Sequence, residues 1–150
     1  LAHNNKHLSF GLSFGGDRFP ILSPKDAFLA AEQDPSTEYI VYYGELGGYD
    51  EYELAQLMTE KKITKKVIAY IGGVISDIFE TPPQFGHAKA MAEKGSESAM
   101  EKRKALQKAG GMVALSFEEF VTYIKAISVP VTELKDYASE MEFLENRKNS

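Results

Sequence analysis

"EYIVYYGELGG", residues 38–48, is the stretch that decides the fold. Its first half is a continuous run of aromatic and β-branched residues, which is typical of a buried β-strand. The run ends at Gly44, and a second pair of glycines, Gly47 and Gly48, follows at once. Nearly apolar strands of this kind are typical of a parallel sheet that is covered on both faces.

On both sides of this strand, strand patterns alternate with helix patterns. We predict strands at residues 8–14 ("LSFGLSF"), 38–45, 66–73 and 112–115. We predict helices at residues 23–34, 50–62, from about 96 to 110, and from 116 to about 127. Ser23 with Pro24 begins the first helix as N-cap and first helical residue, and Ser116 with Glu119 forms a capping box for the last.

This alternation predicts an α/β protein with a flavodoxin-like open parallel sheet, and right-handed crossovers place its helices on both faces. The 150 residues suit one domain. Acidic and basic residues alternate along the helix that ends near Gly110, and we interpret those charges as a solvated helix surface. Pro130 breaks the last helix, and the charged residues 132–150 predict one more exposed helix.

Composition excludes several classes of function. The formal charge is −5 and the chain has no dense run of Lys and Arg, so we expect no nucleic-acid partner and no membrane partner. There is no cysteine, which excludes disulfides and thiol catalysis. No apolar run approaches the ~20 residues of a membrane span, and no signal peptide opens the chain. We therefore expect a cytoplasmic protein, and because the first residue is Leu1, a fragment of a longer one.

Three of the predicted strands end in glycines. The first ends at Gly15 and Gly16, the second at Gly47 and Gly48, and the third at a Gly-Gly pair that leads to "QFGHA", residues 84–88. In an open parallel sheet, ligands bind beyond the carboxyl ends of the strands. We therefore expect the candidate site at this edge of the sheet.

His87 and Glu45 are the reactive side chains that this edge would bring together. A carboxylate directly after a buried strand is costly unless it is paired. Glu45 is therefore a solvated acid or helix cap, or it holds the ring of His87 and leaves the other ring nitrogen as a nucleophile. The residues alone leave both readings open. We expect His3 and His7 to be exposed and idle, and Asp17 to be a turn residue.

The segments "GGDRFP", "YYGELGG", "YIGG" and "PPQFGHAKAMAEKGSESAMEKRKALQKAG" resemble, in this order, the carboxyl half of the succinyl-CoA synthetase α-subunit superfamily. The resemblance runs from about residue 10 to residue 127. "EYELAQLMTEKKITKKV" and "QFGHA" with "SFEEF" are most similar to the ATP-citrate lyase and citryl-CoA synthetase group. No HExxH, Walker A, GxGxxG or GxSxG motif competes with this reading.

The resemblance implies a role for each candidate residue. His87 is the histidine that is phosphorylated during turnover, and Glu45 is the carboxylate that orients it. The phosphohistidine then passes its phosphoryl group to a carboxylate such as citrate, and CoA displaces phosphate from the acyl phosphate. Phosphate and substrate would be bound by the glycines of the loops, which are Gly15, Gly16, Gly47, Gly48 and Gly86.

The resemblance also implies what surrounds the chain. Residues 1–128 would be a CoA-ligase domain that lacks its first strand and helix, and residues 129–150 a helical tail or linker. The complete enzyme would use ATP, Mg²⁺ and CoA, with a CoA-binding domain upstream, an ATP-grasp domain or subunit as partner, and an oligomeric assembly. We expect this chain alone to bind no cofactor and no metal and to be inactive.

One departure from the family pattern lies in the histidine loop, where Lys89 replaces a glycine. The loop takes a different path there, or Lys89 places a positive charge near the phosphate. Two alternatives remain: a fragment of a succinate-CoA ligase α-subunit, and a non-catalytic regulatory relative.

Overall fold

The computed structural model describes residues 1, 6–14, 21–45, 47–73 and 99–128. Along this part of the chain lie α1 (Pro24–Gln33), β1 (Tyr39–Gly44), α2 (Asp50–Thr59), β2 (Lys66–Ile71), α3 (Ala99–Lys108), β3 (Met112–Ala114) and α4 (Phe117–Lys125). The three strands form one sheet in the order β1-β2-β3, and both pairs are parallel. The predicted α/β class with a parallel sheet is confirmed.

The helices cover both faces of the sheet, as predicted. Because successive strand residues point to opposite faces, Val67 and Ile71 of β2 pack against α1, α2 and α3, whereas Ile68 packs against Phe120 and Ile124 of α4. The larger cluster centres on Leu54 and Leu106, which are 0% exposed. The sheet therefore lies between two layers of helices.

Two helices begin where their capping residues predict. Ser23 Oγ accepts a hydrogen bond from the N–H of Asp26 at 3.1 Å, and Ser116 Oγ accepts one from the N–H of Glu119 at 3.1 Å. The carboxylate of Glu119 reaches back to the residue before the cap, where its Oε2 accepts from the N–H of Leu115 at 2.7 Å. Ser116 thus caps α4 as predicted, and the Glu119 carboxylate contacts the backbone at the start of the helix.

The strand predicted at residues 8–14 is wrong. This segment contains no strand in the structure, although Ser9 and Thr37 share a hydroxyl–hydroxyl hydrogen bond of 2.6 Å and Phe14 contacts the rings of Phe28 and Tyr42. The alternation of apolar residues suggested one buried face, but Leu8 and Leu12 are 56% and 51% exposed. Without a buried face or a strand partner among the described residues, the alternation does not produce a strand.

The remaining boundaries differ only at their ends. Helix α2 stops at Thr59 rather than at residue 62, because Lys61 adopts a φ of 60° that a helix does not allow. Gly110 follows α3 with a φ of 98°, as expected for a helix C-terminus that ends in glycine. The predicted start of α3 near residue 96 and the predicted helix at 132–150 lie outside the described residues.

Candidate functional site

The carboxyl ends of β1 and β2 lie side by side. Gly44, the last residue of β1, pairs in register with Ile71, the last residue of β2. One more backbone hydrogen bond joins the two strand ends, since the N–H of Gly72 donates to the carbonyl of Gly44 at 2.8 Å. The loop after β1 and the glycine pair after β2 therefore leave the same edge of the sheet from neighbouring points.

The loop after β1 depends on glycine in two ways. Gly47 and Gly48 have φ values of 80° and 68°, in the left-handed region that other residues adopt only at a cost. Gly44 permits a close approach, because a Cβ atom there would lie 2.4 Å from Oε1 of Glu51 and 2.7 Å from Cδ1 of Ile71. The Gly-Glu-x-Gly-Gly pattern thus has a local physical cause.

A buried ion pair lies beneath this loop. Nζ of Lys102, on α3, is 2.7 Å from Oε2 of Glu51, in the first turn of α2, and the two side chains are 1% and 2% exposed. The hydroxyl of Tyr42 donates to Oε1 of Glu51 at 3.1 Å. Nζ of Lys102 also donates to the carbonyl of Glu45 at 2.7 Å and to the carbonyl of Gly47. The pair therefore links both helices to the loop backbone.

The burial of this cluster shifts its ionisation. Burial raises the pKa of the Glu51 carboxyl above its usual value, and the positive charge of Lys102 opposes that rise. Burial, together with the negative charge of Glu51, raises the pKa of the Tyr42 hydroxyl far above its usual value. This shift keeps the Tyr42 hydroxyl protonated at neutral pH, where it donates to Glu51.

Arg103 also donates hydrogen bonds to backbone carbonyls, one of them at the end of β2. Its Nη2 and Nε donate to the carbonyl of Ile71 at 2.6 and 3.2 Å, and its Nη1 donates to the carbonyl of Leu115 at 3.1 Å. The guanidinium carbon lies 5.4 Å from the centre of the Tyr70 ring, within the range of a cation–π contact. Arg103 thus joins the end of β2 to the chain that follows β3.

The interpretation of the α3 charges as a solvated surface is wrong for two residues, since Lys102 and Arg103 are 1% and 8% exposed. They lie on the same helical stripe as Ala99 and Leu106, which are buried. The sequence contains a signal for this burial. Lys102 and Arg103 lie three or four residues from both Ala99 and Leu106, which places them on the same apolar face of the helix. A buried cation must be paired, and the sequence did not identify Glu51 as its partner.

The structure places some of the predicted site residues. Glu45, Gly47 and Gly48 form the loop after β1, and the side chain of Glu45 is exposed rather than buried. Gly15, Gly16, Asp17, Gly86, His87 and Lys89, together with His3, lie outside the described residues. His7 is exposed.

Two kinds of feature are absent from the described segments. None of the helices in the described segments is long and apolar enough to cross a membrane. The same segments contain no group of three or more His, Cys, Asp or Glu residues arranged to hold a metal ion.

The class follows from these observations: an open parallel α/β sheet with glycine loops at its carboxyl edge, where proteins of this architecture bind their ligands. Residues 1–112 match the model of a family described as CoA-ligase. The chain belongs to the CoA-ligase family.

Relatives of this chain include ATP-citrate synthases. It is 43% identical over 116 residues to a probable ATP-citrate synthase of Dictyostelium discoideum, and the matched region covers 77% of this chain and 19% of that protein. It is 36% identical over 117 residues to the ATP-citrate synthase of Homo sapiens, with 78% of this chain and 11% of that protein covered. The chain thus spans a fifth or less of the length of these relatives.

Two solved structures resemble its fold. One is an ATP citrate lyase of Methanosaeta concilii in complex with (3S)-citryl-CoA, with a TM-score of 0.69, 40% identity, and coverage of 74% of this chain and 18% of that chain. The other is an ATP citrate lyase of Methanothrix soehngenii in complex with citrate and coenzyme A, with a TM-score of 0.67, 35% identity, and coverage of 77% and 21%.

Proposed function

We propose that this chain is part of an ATP-dependent citrate–CoA ligating enzyme, of the ATP-citrate lyase or citryl-CoA synthetase type, and that it supplies the phosphohistidine on His87. One observation carries the proposal: Gly44 pairs with Ile71 at the ends of neighbouring strands, so the loop of Glu45 starts beside the segment that leads to His87. The likeness to ATP citrate lyases in complex with citryl-CoA, citrate and coenzyme A supports citrate as the acid.

In this proposal Glu45 and His87 act as a pair. The exposed carboxylate of Glu45 accepts a hydrogen bond from one ring nitrogen of His87, which fixes the tautomer and leaves the other nitrogen to attack. The Gly47-Gly48 pair suits a phosphate, because glycine has no Cβ and lets a ligand approach the backbone N–H groups closely. Gly15, Gly16 and Gly86 complete the phosphate and substrate contacts.

The reaction proceeds by two phosphoryl transfers and one acyl transfer. A ring nitrogen of His87 attacks the terminal phosphorus of ATP, the bond to ADP breaks, and a phosphohistidine forms. A citrate carboxylate then attacks that phosphorus and releases the neutral ring. The thiolate of CoA attacks the acyl phosphate carbonyl and expels phosphate. Each transfer depends mainly on positioning and charge stabilisation, which the glycine loops and Glu45 would supply.

The proposal assigns the other parts of the reaction elsewhere. ATP and Mg²⁺ belong to an ATP-grasp domain or subunit, and CoA to a domain upstream of this chain. Residues 1–128 form the phosphohistidine domain without its first strand and helix, residues 129–150 form a tail or linker, and the complete enzyme is an oligomer.

The test is phosphorylation of the complete product of the gene that encodes this chain. With radiolabelled MgATP we expect an acid-labile, base-stable phosphate on His87, which the His87→Asn variant loses. The matched control His7→Asn, at an exposed histidine, keeps the label. An unlabelled wild-type protein, or a His87→Asn variant that is labelled as the wild type is, would contradict the proposal. Such a result would favour a non-catalytic relative.

A further inference from the structure

The ammonium group of Lys102 is shared between a counter-ion and the loop that carries Glu45. Its three partners are Oε2 of Glu51, the carbonyl of Glu45 and the carbonyl of Gly47. An ammonium has three N–H donors, so the three oxygens match its capacity in number. Two of the three contacts fix the backbone of the loop, which we call the Glu45 loop, residues 45–48.

The Glu45 loop needs such an anchor. Gly47 and Gly48 have no side chains with which to pack, and glycine loses more conformational freedom on ordering than any other residue. Tyr49, the N-cap of the following helix α2, makes no side-chain cap hydrogen bond. The two carbonyl contacts from Lys102 are therefore a main determinant of where the backbone of Glu45 sits.

Stability alone does not require a charge at this position. Replacing a buried ion pair by apolar residues of similar volume is often neutral or stabilising. An apolar pair, however, cannot donate hydrogen bonds to the carbonyls of Glu45 and Gly47. The feature that only the charged pair provides is a fixed path for the Glu45 loop.

We infer that Lys102 is a positioning residue, with Glu51 as its counter-ion, that fixes the Glu45 loop so that the Glu45 carboxylate is aimed at the histidine it orients. This inference rests on the proposed function and names a further residue for the same site. Lys102 is 1% exposed, so it acts through the loop backbone rather than on a substrate. Gly44 contributes to the same arrangement, because its lack of a Cβ lets the Glu51 carboxylate lie against the end of β1.

The decisive variant removes both charges together. In Glu51→Gln/Lys102→Met no buried charge is left unpaired, and the Gln carbonyl still accepts from Tyr42, so we expect the domain to fold. We expect the same result for Glu51→Leu/Lys102→Met, which replaces the first variant in the experiment if that variant does not fold. The matched control is Glu101→Gln/Lys104→Met, which makes the same two substitutions at an exposed ion pair on the same helix, where the side chains are 48% and 61% exposed.

Two measurements follow. In the complete gene product, we expect the double variant to phosphorylate His87 about 100-fold more slowly, with an unchanged KM for MgATP, because a small misplacement of a positioned group costs about that factor. The control should remain within a few-fold of the wild-type rate. In the chain itself, the NMR order parameters of the Gly47 and Gly48 amides should fall in the double variant, from about 0.85 to below about 0.6, because the loop backbone is no longer fixed.

The outcomes separate this inference from the proposed function. An unlabelled wild-type enzyme overturns the proposed function, and the positioning role with it. A labelled wild-type enzyme with a folded double variant of equal rate overturns only the positioning role. Unchanged order parameters at Gly47 and Gly48 in the folded double variant also overturn it, whatever the enzyme does.

Discussion

Removing the charge of Lys102 alone should strongly destabilise the domain. Methionine has a similar length and volume, so Lys102→Met leaves little empty space. The cost arises from the Glu51 carboxylate, which is 2% exposed and loses its counter-ion. Breaking a buried pair in this way costs about 3–5 kcal/mol, out of a total of about 5–15 kcal/mol for a typical domain.

A double-mutant cycle isolates the pair. Glu51→Gln/Lys102→Met should recover about 2 kcal/mol of the loss. The remaining cost is a buried amide NH2 group without an acceptor, together with the carbonyls of Glu45 and Gly47, which have lost their donor. Urea unfolding, followed by circular dichroism and by the fluorescence of the 8 tyrosines in a chain without tryptophan, measures the free energy of unfolding of each variant.

The pH dependence gives a second check with a defined sign. The folded pKa of Glu51 is raised above its usual 4.5 by burial, and Lys102→Met removes the charge that opposes this rise. A raised carboxyl pKa contributes stability that is present below about pH 4.5 and is lost as the pH rises through the folded value. The deficit of Lys102→Met should therefore be largest near neutral pH and shrink toward pH 4.5. A deficit below about 0.5 kcal/mol, the range of a surface substitution, or one that does not change with pH, would refute this reasoning.

Three further substitutions, two of them with a control at a second position, test local packing and helix capping. Gly44→Ala should lower the free energy of unfolding by about 1–3 kcal/mol because its Cβ would meet a carboxylate oxygen at 2.4 Å, whereas Gly72→Ala, whose nearest contact is 3.4 Å, should change it by less than about 1 kcal/mol. Ser116→Ala should cost about 1 kcal/mol through loss of the α4 cap, measured by urea unfolding. Phe14→Ala should cost about 1 kcal/mol for each of its two aromatic contacts, while Phe10→Ala at a ring 37% exposed should cost less; equal losses would contradict the account of residues 6–14.

The sequence predicted best the elements whose signals are local. β1 and β2 are dense apolar runs that end in glycine, and α1 and α4 begin at Ser-based caps, so neighbouring residues determine each of them. Residues 8–14 failed because an alternating pattern defines a face but not a partner strand, and the described residues provide none.

The parts of the site that the sequence did not reveal depend on distant contacts. Lys102 and Glu51 are on different helices, and a charge pattern along one helix does not show which cation is buried. Glu45 was expected to need a partner because it follows a buried strand. The strand ends at Gly44, however, and the next side chain is already exposed. The backbone carbonyl of Glu45 accepts a hydrogen bond from the buried Lys102.

The central claim is that a phosphoryl group passes through His87 to citrate. The most direct measurement is a rapid-quench experiment in which the complete gene product is first labelled with MgATP, freed of nucleotide, and then mixed with citrate and CoA. We predict that label leaves His87 at the rate at which citryl-CoA or its cleavage products appear, and that succinate does not replace citrate. Label that persists on His87 in the presence of citrate and CoA would contradict the account, and discharge by succinate instead would assign the chain to the succinate-specific branch.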